Sequence, residues 1–295
     1  MNTYVEKLVF SKNRPVPIQL EMVLNPAAWP KKDFIFQHAI RHGIRFRDYG
    51  EAVGAGKDML LLNPEYVHFS LVDPPWYNMF SKDEDKILGR IKEWESDRFS
   101  GPRFPQLIVM LLPNDHTFGG DAGMPTRESM IADNDLATGL FVEWLSNSPY
   151  WNSSVAFITE DDPQGGSDHI DSLRTFTLVA SPWVKRGYVS HVRYNEAHLY
   201  ATMEYILGLP PLTLFDEVAQ PMYDLFDFET DPEPFEHEPK QWPWEFNPPG
   251  TLAARKSADM YFAEPDEAEG LQELMLEMDE ERREAGALTR RTREK

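Results

Sequence analysis

Cysteine is absent from all 295 residues. Disulfide scaffolds, Cys-ligated zinc and thiol nucleophiles are therefore excluded, and any chemistry rests on His, carboxylates and hydroxyls. The same absence leaves the cellular compartment undecided. Basic residues are scarce: 29 Lys and Arg stand against 49 Asp and Glu, a formal net charge of −20. That field repels nucleic acid and anionic membranes, so binding of nucleic acid through a basic surface is not expected. Long apolar runs are missing too. The longest, Leu107 to Leu112, is too short to span a bilayer. The opening MNTYVEKLVF has neither the basic start nor the apolar stretch of a signal peptide or anchor. No internal repeat is found.

What is present builds a core. Hydrophobic residues make up 41% and aromatics 13%, more than a solvated disordered chain carries. DFIFQHAIRHG reads as a short helix stopping at Gly43, and IRFRDYGE as a strand. In KDEDKILGRIKEWESDRF, Ile87, Ile91 and Trp94 recur at helical spacing behind an acidic start, which marks a surface helix. QLIVMLLP is a continuous apolar run of strand length between Pro105 and Pro113, as in a strand buried on both faces. SMIADNDLATGLFVEWLSNS is helical, SSVAFITE and RTFTLVASP are strands, and EAHLYATMEYILGL is a helix closed by Gly208 and Pro210.

This alternation predicts an α/β class: a mostly parallel sheet flanked by helices on both faces, with the runs at 106–112, 154–159 and 175–180 as adjacent interior strands. The α/β domain is expected over 1–226. A Pro- and acid-rich linker follows over 227–250, and a charged amphipathic helical tail with Leu271, Leu274, Met275 and Met278 on one stripe over 251–295.

In open α/β sheets ligands bind beyond the carboxyl ends of the strands. QLIVMLLP runs into Asn114, Asp115, His116 and Thr117. SSVAFIT runs into Glu160, Asp161 and Asp162, and Asp168 with His169 follow a Gly165-Gly166 turn. Oxygen and imidazole donors arriving from separate segments suit a hard or borderline cation. For any one segment, capping or turn formation is the ordinary reading. Adjacent acids at a strand end, however, repel unless a cation or a base compensates them. His38 and His42, at i, i+4 without an HExxH glutamate, read as packing residues. His191 and His198 read as structural, and Lys185-Arg186 as a basic turn.

LPNDHT, G-x-PT, IADND-LATG-FVEWLSNSPYW, FITEDDPQGGSDHID-LRT, VASPWVKRGYV and MEYILGLPPLTLFDE-A-PMYDLF, taken together and in order, resemble the C-terminal part of bacterial phosphoesterases of the alkaline phosphatase superfamily, which includes phospholipase-C-like and acid-phosphatase-like enzymes. The resemblance covers about 30–226 and implies hydrolysis of a phosphate ester with a divalent metal, Mn, Ca, Zn or Mg, at the strand ends. Carried over residue by residue, it gives Asp115, Asp161, Asp162 and Asp168 as metal ligands and His116 and His169 as catalytic groups. Relatives of this kind are often exported.

The resemblance also implies a nucleophile on early strands upstream of the region that TYVEK matches. No hydroxyl here takes that position: Thr117, Thr126 and Ser129 read as turn or capping residues. The expectation is thus a phosphoesterase-like domain lacking its N-terminal strands, with low or absent turnover alone. An upstream partner chain is left open as its complement, and a homo-oligomer through the C-terminal helix is left open separately. The alternative is a non-catalytic remnant that binds metal or a partner.

Overall fold

The description rests on a computed structural model and covers residues 33–49, 79–96, 99–160, 174–252 and 254–255. Contacts divide the chain into two units, one of Met1–Leu112, Ala137–Ala156 and Val179–His237, the other of Pro113–Leu136, Phe157–Leu178 and Glu238–Lys295.

In the first unit, helix α1 (Ile35–Arg41) buries Ile35, Phe36 and Ala39 on one side. It ends at Gly43, whose φ of +78° is open to glycine without steric cost. Strand β1 (Phe46–Tyr49) pairs in parallel with β2 (Leu107–Met110), Phe46 opposite Leu107 and Tyr49 opposite Met110. Alternation along β2 then divides its side chains between two cores. Leu107 and Val109 join α1, Phe46 and Leu209. Ile108 and Met110 join Tyr49, Ile87, Trp94 and Ala137. Helix α2 (Asp83–Trp94) brings Ile87 and Trp94 to that second core, and its three first-turn acids complement the positive end of the helix dipole. Arg90 of α2 closes the strand ends by donating to the Leu111 and Tyr49 carbonyls, at 3.2 and 3.3 Å.

Helix α3 (Arg127–Asn147) passes through both units. Strands β3 (Ala156–Thr159) and β4 (Thr177–Ala180) form a second sheet, with the Thr177 hydroxyl donating to that of Thr159 at 3.0 Å. Helix α4 (Glu196–Leu207) is capped by Asn195, whose side chain accepts from the Ala197 amide, and ends at Gly208 with φ +69°. The short helix α5 (Leu214–Val218) follows, capped by Thr213.

The chain is thus a mixed α/β structure. The single mostly parallel sheet expected from the sequence is not what the described residues form: they make two sheets of two strands each. RTFTLVASP also departs from its expectation as an interior strand. Thr177 and Leu178 of β4 are exposed, Leu178 by 54%. A short apolar run fixes strand length but neither its partners nor how many faces are covered. No helix among the described residues is long and apolar enough to cross a membrane.

Candidate functional site

Where β2 ends, Pro113 to His116 form one 3-10 turn. Asn114 is fully buried and donates from Nδ2 to Oδ2 of Asp133 at 3.0 Å, and Asp133, on α3, is fully buried as well. Lys240 Nζ lies 3.6 Å from the other oxygen of Asp133. The Thr117 amide donates back to the Asn114 carbonyl at 3.1 Å, closing the turn. Asp115 is half-buried and His116 exposed. His116 Nδ1 lies 3.1 Å from the Thr117 carbonyl, which only accepts.

Asn247 locks the loop that follows. Its side-chain amide donates to the Gly119 and Asp121 carbonyls at 3.0 and 3.2 Å, and its own amide and carbonyl bond Met124 and Gly123.

The structure brings Asp115 and His116 together at this turn. Asp161, Asp162, Asp168 and His169 lie outside the described residues. Among the described residues, no group of three or more His, Asp or Glu is placed to hold a metal. The candidate hydroxyls are engaged locally. Thr126 Oγ1 accepts from the Ser129 amide at the start of α3, Ser129 Oγ bonds the Pro243 carbonyl and the Glu245 amide, and Thr117 Oγ1 accepts from Gly119.

His38, His42 and His198 serve the fold. His38 is buried with Nε2 2.7 Å from the Pro210 carbonyl, His42 Nδ1 bonds the His38 carbonyl, and His198 completes the cap of α4 with Asn195. Lys185 donates to the Asp224 carbonyl, and Arg186 pairs with Asp231 at 2.9 Å. A cleft of about 480 Å³ in the first unit is lined by Trp94, Trp144, Tyr150, Glu95 and Glu143. It gathers aromatic rings but no His and no candidate nucleophile beyond serine hydroxyls.

Perturbed ionisable groups lie elsewhere. Glu204 and Asp216 share the Leu212 amide, at 3.0 and 2.6 Å. Burial, then the neighbouring Asp216 charge, pushes the Glu204 carboxyl up to about 8. Burial also opposes the charge on Asp216, but bonds from the Thr213 hydroxyl and amide outweigh it and hold that carboxyl below its usual range. Asp224 accepts from the hydroxyls of Tyr188, Ser190 and Tyr194, which likewise outweigh burial and hold its carboxyl low. Both clusters fasten loops.

Sequence reasoning overlooked Asp133, Lys240 and Asn247. For Asp133 a signal was present: it falls on the stripe of α3 that also carries Met130 and Ala137, both fully buried, so a charge there needs bonded partners. Lys240 and Asn247 carried no local signal, being drawn from a stretch that reads as linker.

The sequence model of the Phosphoesterase family matches residues 41–210, more than half of the chain. The protein belongs to that family. No curated protein matches the sequence significantly.

Proposed function

We propose that the protein is a metal-dependent hydrolase of phosphate esters of the alkaline phosphatase superfamily, with Asp115, Asp161, Asp162 and Asp168 as the metal ligands and His116 and His169 as the catalytic groups. The observation that carries this reading is the family match over 41–210, which includes both strand-end segments. The donor set fits a divalent cation: Asp115 offers oxygen at the end of β2, and the pair at 161–162 and Asp168 add three more carboxylates without any thiolate. When bound, such a cation supplies Lewis acidity to a phosphoryl oxygen and acidifies a bound water.

The residues of the chain do the rest. His116 stands with Nδ1 against the Thr117 carbonyl and stabilises charge or serves the leaving group. The buried Asn114–Asp133 bond holds the turn that bears it.

The test is hydrolysis of a chromogenic phosphate mono- or diester by the full chain with Mn²⁺, Ca²⁺, Zn²⁺ or Mg²⁺. Cation-dependent release, however slow, that chelator removes and His116→Ala lowers by roughly 100-fold is expected. No release with any cation, or release indifferent to His116→Ala, would overturn the proposal.

A further inference from the structure

We propose that Asn114, Asp133 and Thr117 form a positioning device that fixes the tautomer and orientation of His116, with the proton on Nδ1 and the lone pair on Nε2. The consequence for catalysis rests on the hydrolase reading above, whereas the positioning itself does not.

Three observations meet here. First, Asn114 and Asp133, nineteen positions apart, are both fully buried and joined by a 3.0 Å bond, with Lys240 3.6 Å from the same carboxylate. A buried carboxylate is retained only where its interactions repay desolvation, and the Asn114 bond ties the turn to a helix of 21 residues. Second, Thr117 has φ +60°, and it is the non-glycine residue with positive φ among those described. A β-branched residue holds that conformation only when its surroundings impose it. The constraint is visible: the Thr117 amide is bound to the Asn114 carbonyl at 3.1 Å, and its hydroxyl accepts from the Gly119 amide at 3.1 Å. Third, the carbonyl of this same residue receives His116 Nδ1 at 3.1 Å.

An exposed imidazole in water favours the Nε2–H tautomer. A backbone carbonyl placed against Nδ1 reverses that preference. The left-handed backbone at Thr117 is therefore the means by which an exposed histidine is given one tautomer. Asp133, which touches no reacting atom, acts through Asn114 as a positioning residue.

The test is the tautomer of His116, read from ring 15N shifts in the full chain at mildly alkaline pH in the presence of chelator. Wild type is expected to show Nδ1–H. Asp133→Asn keeps an oxygen to accept from Asn114 and should keep this pattern, whereas Asp133→Ala should move His116 to Nε2–H. Where Asp133→Ala fails to fold, Thr117→Gly gives the same reading. Glycine adopts this φ without strain, so its Tm should be equal or higher, yet the Nδ1–H population should fall because the backbone is free to leave that conformation.

A wild type already in the Nε2–H form would overturn the proposal. So would a wild-type pattern retained in Thr117→Gly and in any Asp133→Ala that folds. With a phosphate ester and metal, Thr117→Gly should lower kcat by roughly 10-fold with KM unchanged. A chain that shows the tautomer pattern but turns over no ester sinks the hydrolase reading and leaves the positioning intact.

Discussion

Glu204 is nearly fully buried, and its carboxyl sits at about 8 because burial and Asp216 both disfavour its charge. A carboxyl raised in the folded state binds a proton there that the unfolded chain has already lost. Its contribution to stability is therefore complete below the unfolded value and is lost as pH rises through about 8. Glu204→Gln keeps an oxygen for the Leu212 amide and has nothing to ionise. Wild type should lose stability relative to this variant, on the order of 2 kcal/mol, between pH 5 and pH 9. Parallel urea melts at the two pH values check this, and equal curves would refute it. Asp216, held low, works the other way: its contribution is present above the ordinary carboxylate value and is lost as pH falls through its depressed one.

Tyr49 is another residue whose chemistry is fixed by its surroundings. Its buried hydroxyl donates to Glu93 at 3.0 Å and accepts from Trp94 Nε1 at 2.7 Å, beside the 2.6 Å pair of Arg47 with Glu93. Burial pushes this hydroxyl up to about 12, so it stays neutral throughout the working range. Tyr49→Phe leaves the Trp94 donor without this acceptor and should cost about 1–3 kcal/mol of unfolding free energy in denaturant melts.

Among the elements, α3 and the stretch at 235–247 depend on each other. Ser146 Oγ accepts from the Phe235 amide at 2.9 Å, and His237 Nδ1 pairs with Glu143 at 2.6 Å. At the other end of the helix, Lys240 reaches Asp133, and Ser129 Oγ accepts from the Glu245 amide at 2.8 Å. Each part of the stretch is thus bonded to the part of the helix that belongs to its own unit. Ser129→Ala removes the acceptor for Glu245 and the donor for the Pro243 carbonyl, and should cost about 1–3 kcal/mol with a matching loss of protection at the Glu245 amide in hydrogen exchange. Unchanged protection there would contradict the pairing.

The same pairing shows what a sequence carries and what it does not. Helices α2, α3 and α4 were legible because apolar residues recur at helical spacing and Gly208 marks an end. The packing of β2 on both faces was legible because its run is apolar at every position. The bonding of 235–247 was not, since backbone amides of a Pro-rich stretch meeting serines more than 80 positions away leave no periodic trace. The turn at 114–117 was legible as a polar cluster after a strand. The left-handed backbone at Thr117 was not, because nothing in the residue type announces it.

At the scale of the whole molecule, the net charge of −20 opposes the approach of an anionic ester. Salt screens that field over a Debye length of about 8–10 Å near physiological ionic strength. KM for a phosphate ester should therefore fall as salt is raised from low to moderate levels, and a KM that rises steadily with salt would speak against this picture. The same excess of acid makes a cation at the Asp161–Asp162 pair the centre of the proposed activity.

The most direct measurement is thermal melting of the full chain against Mn²⁺, Ca²⁺, Zn²⁺ and Mg²⁺, beside the Asp161→Asn, Asp162→Asn double variant. A cation that binds only the folded chain stabilises it by about 3 kcal/mol at a hundredfold excess over Kd. The wild-type Tm should therefore rise by several degrees with at least one cation while the double variant does not respond. A wild-type Tm that no cation moves, or an equal rise in the double variant, would contradict a metal site at this pair.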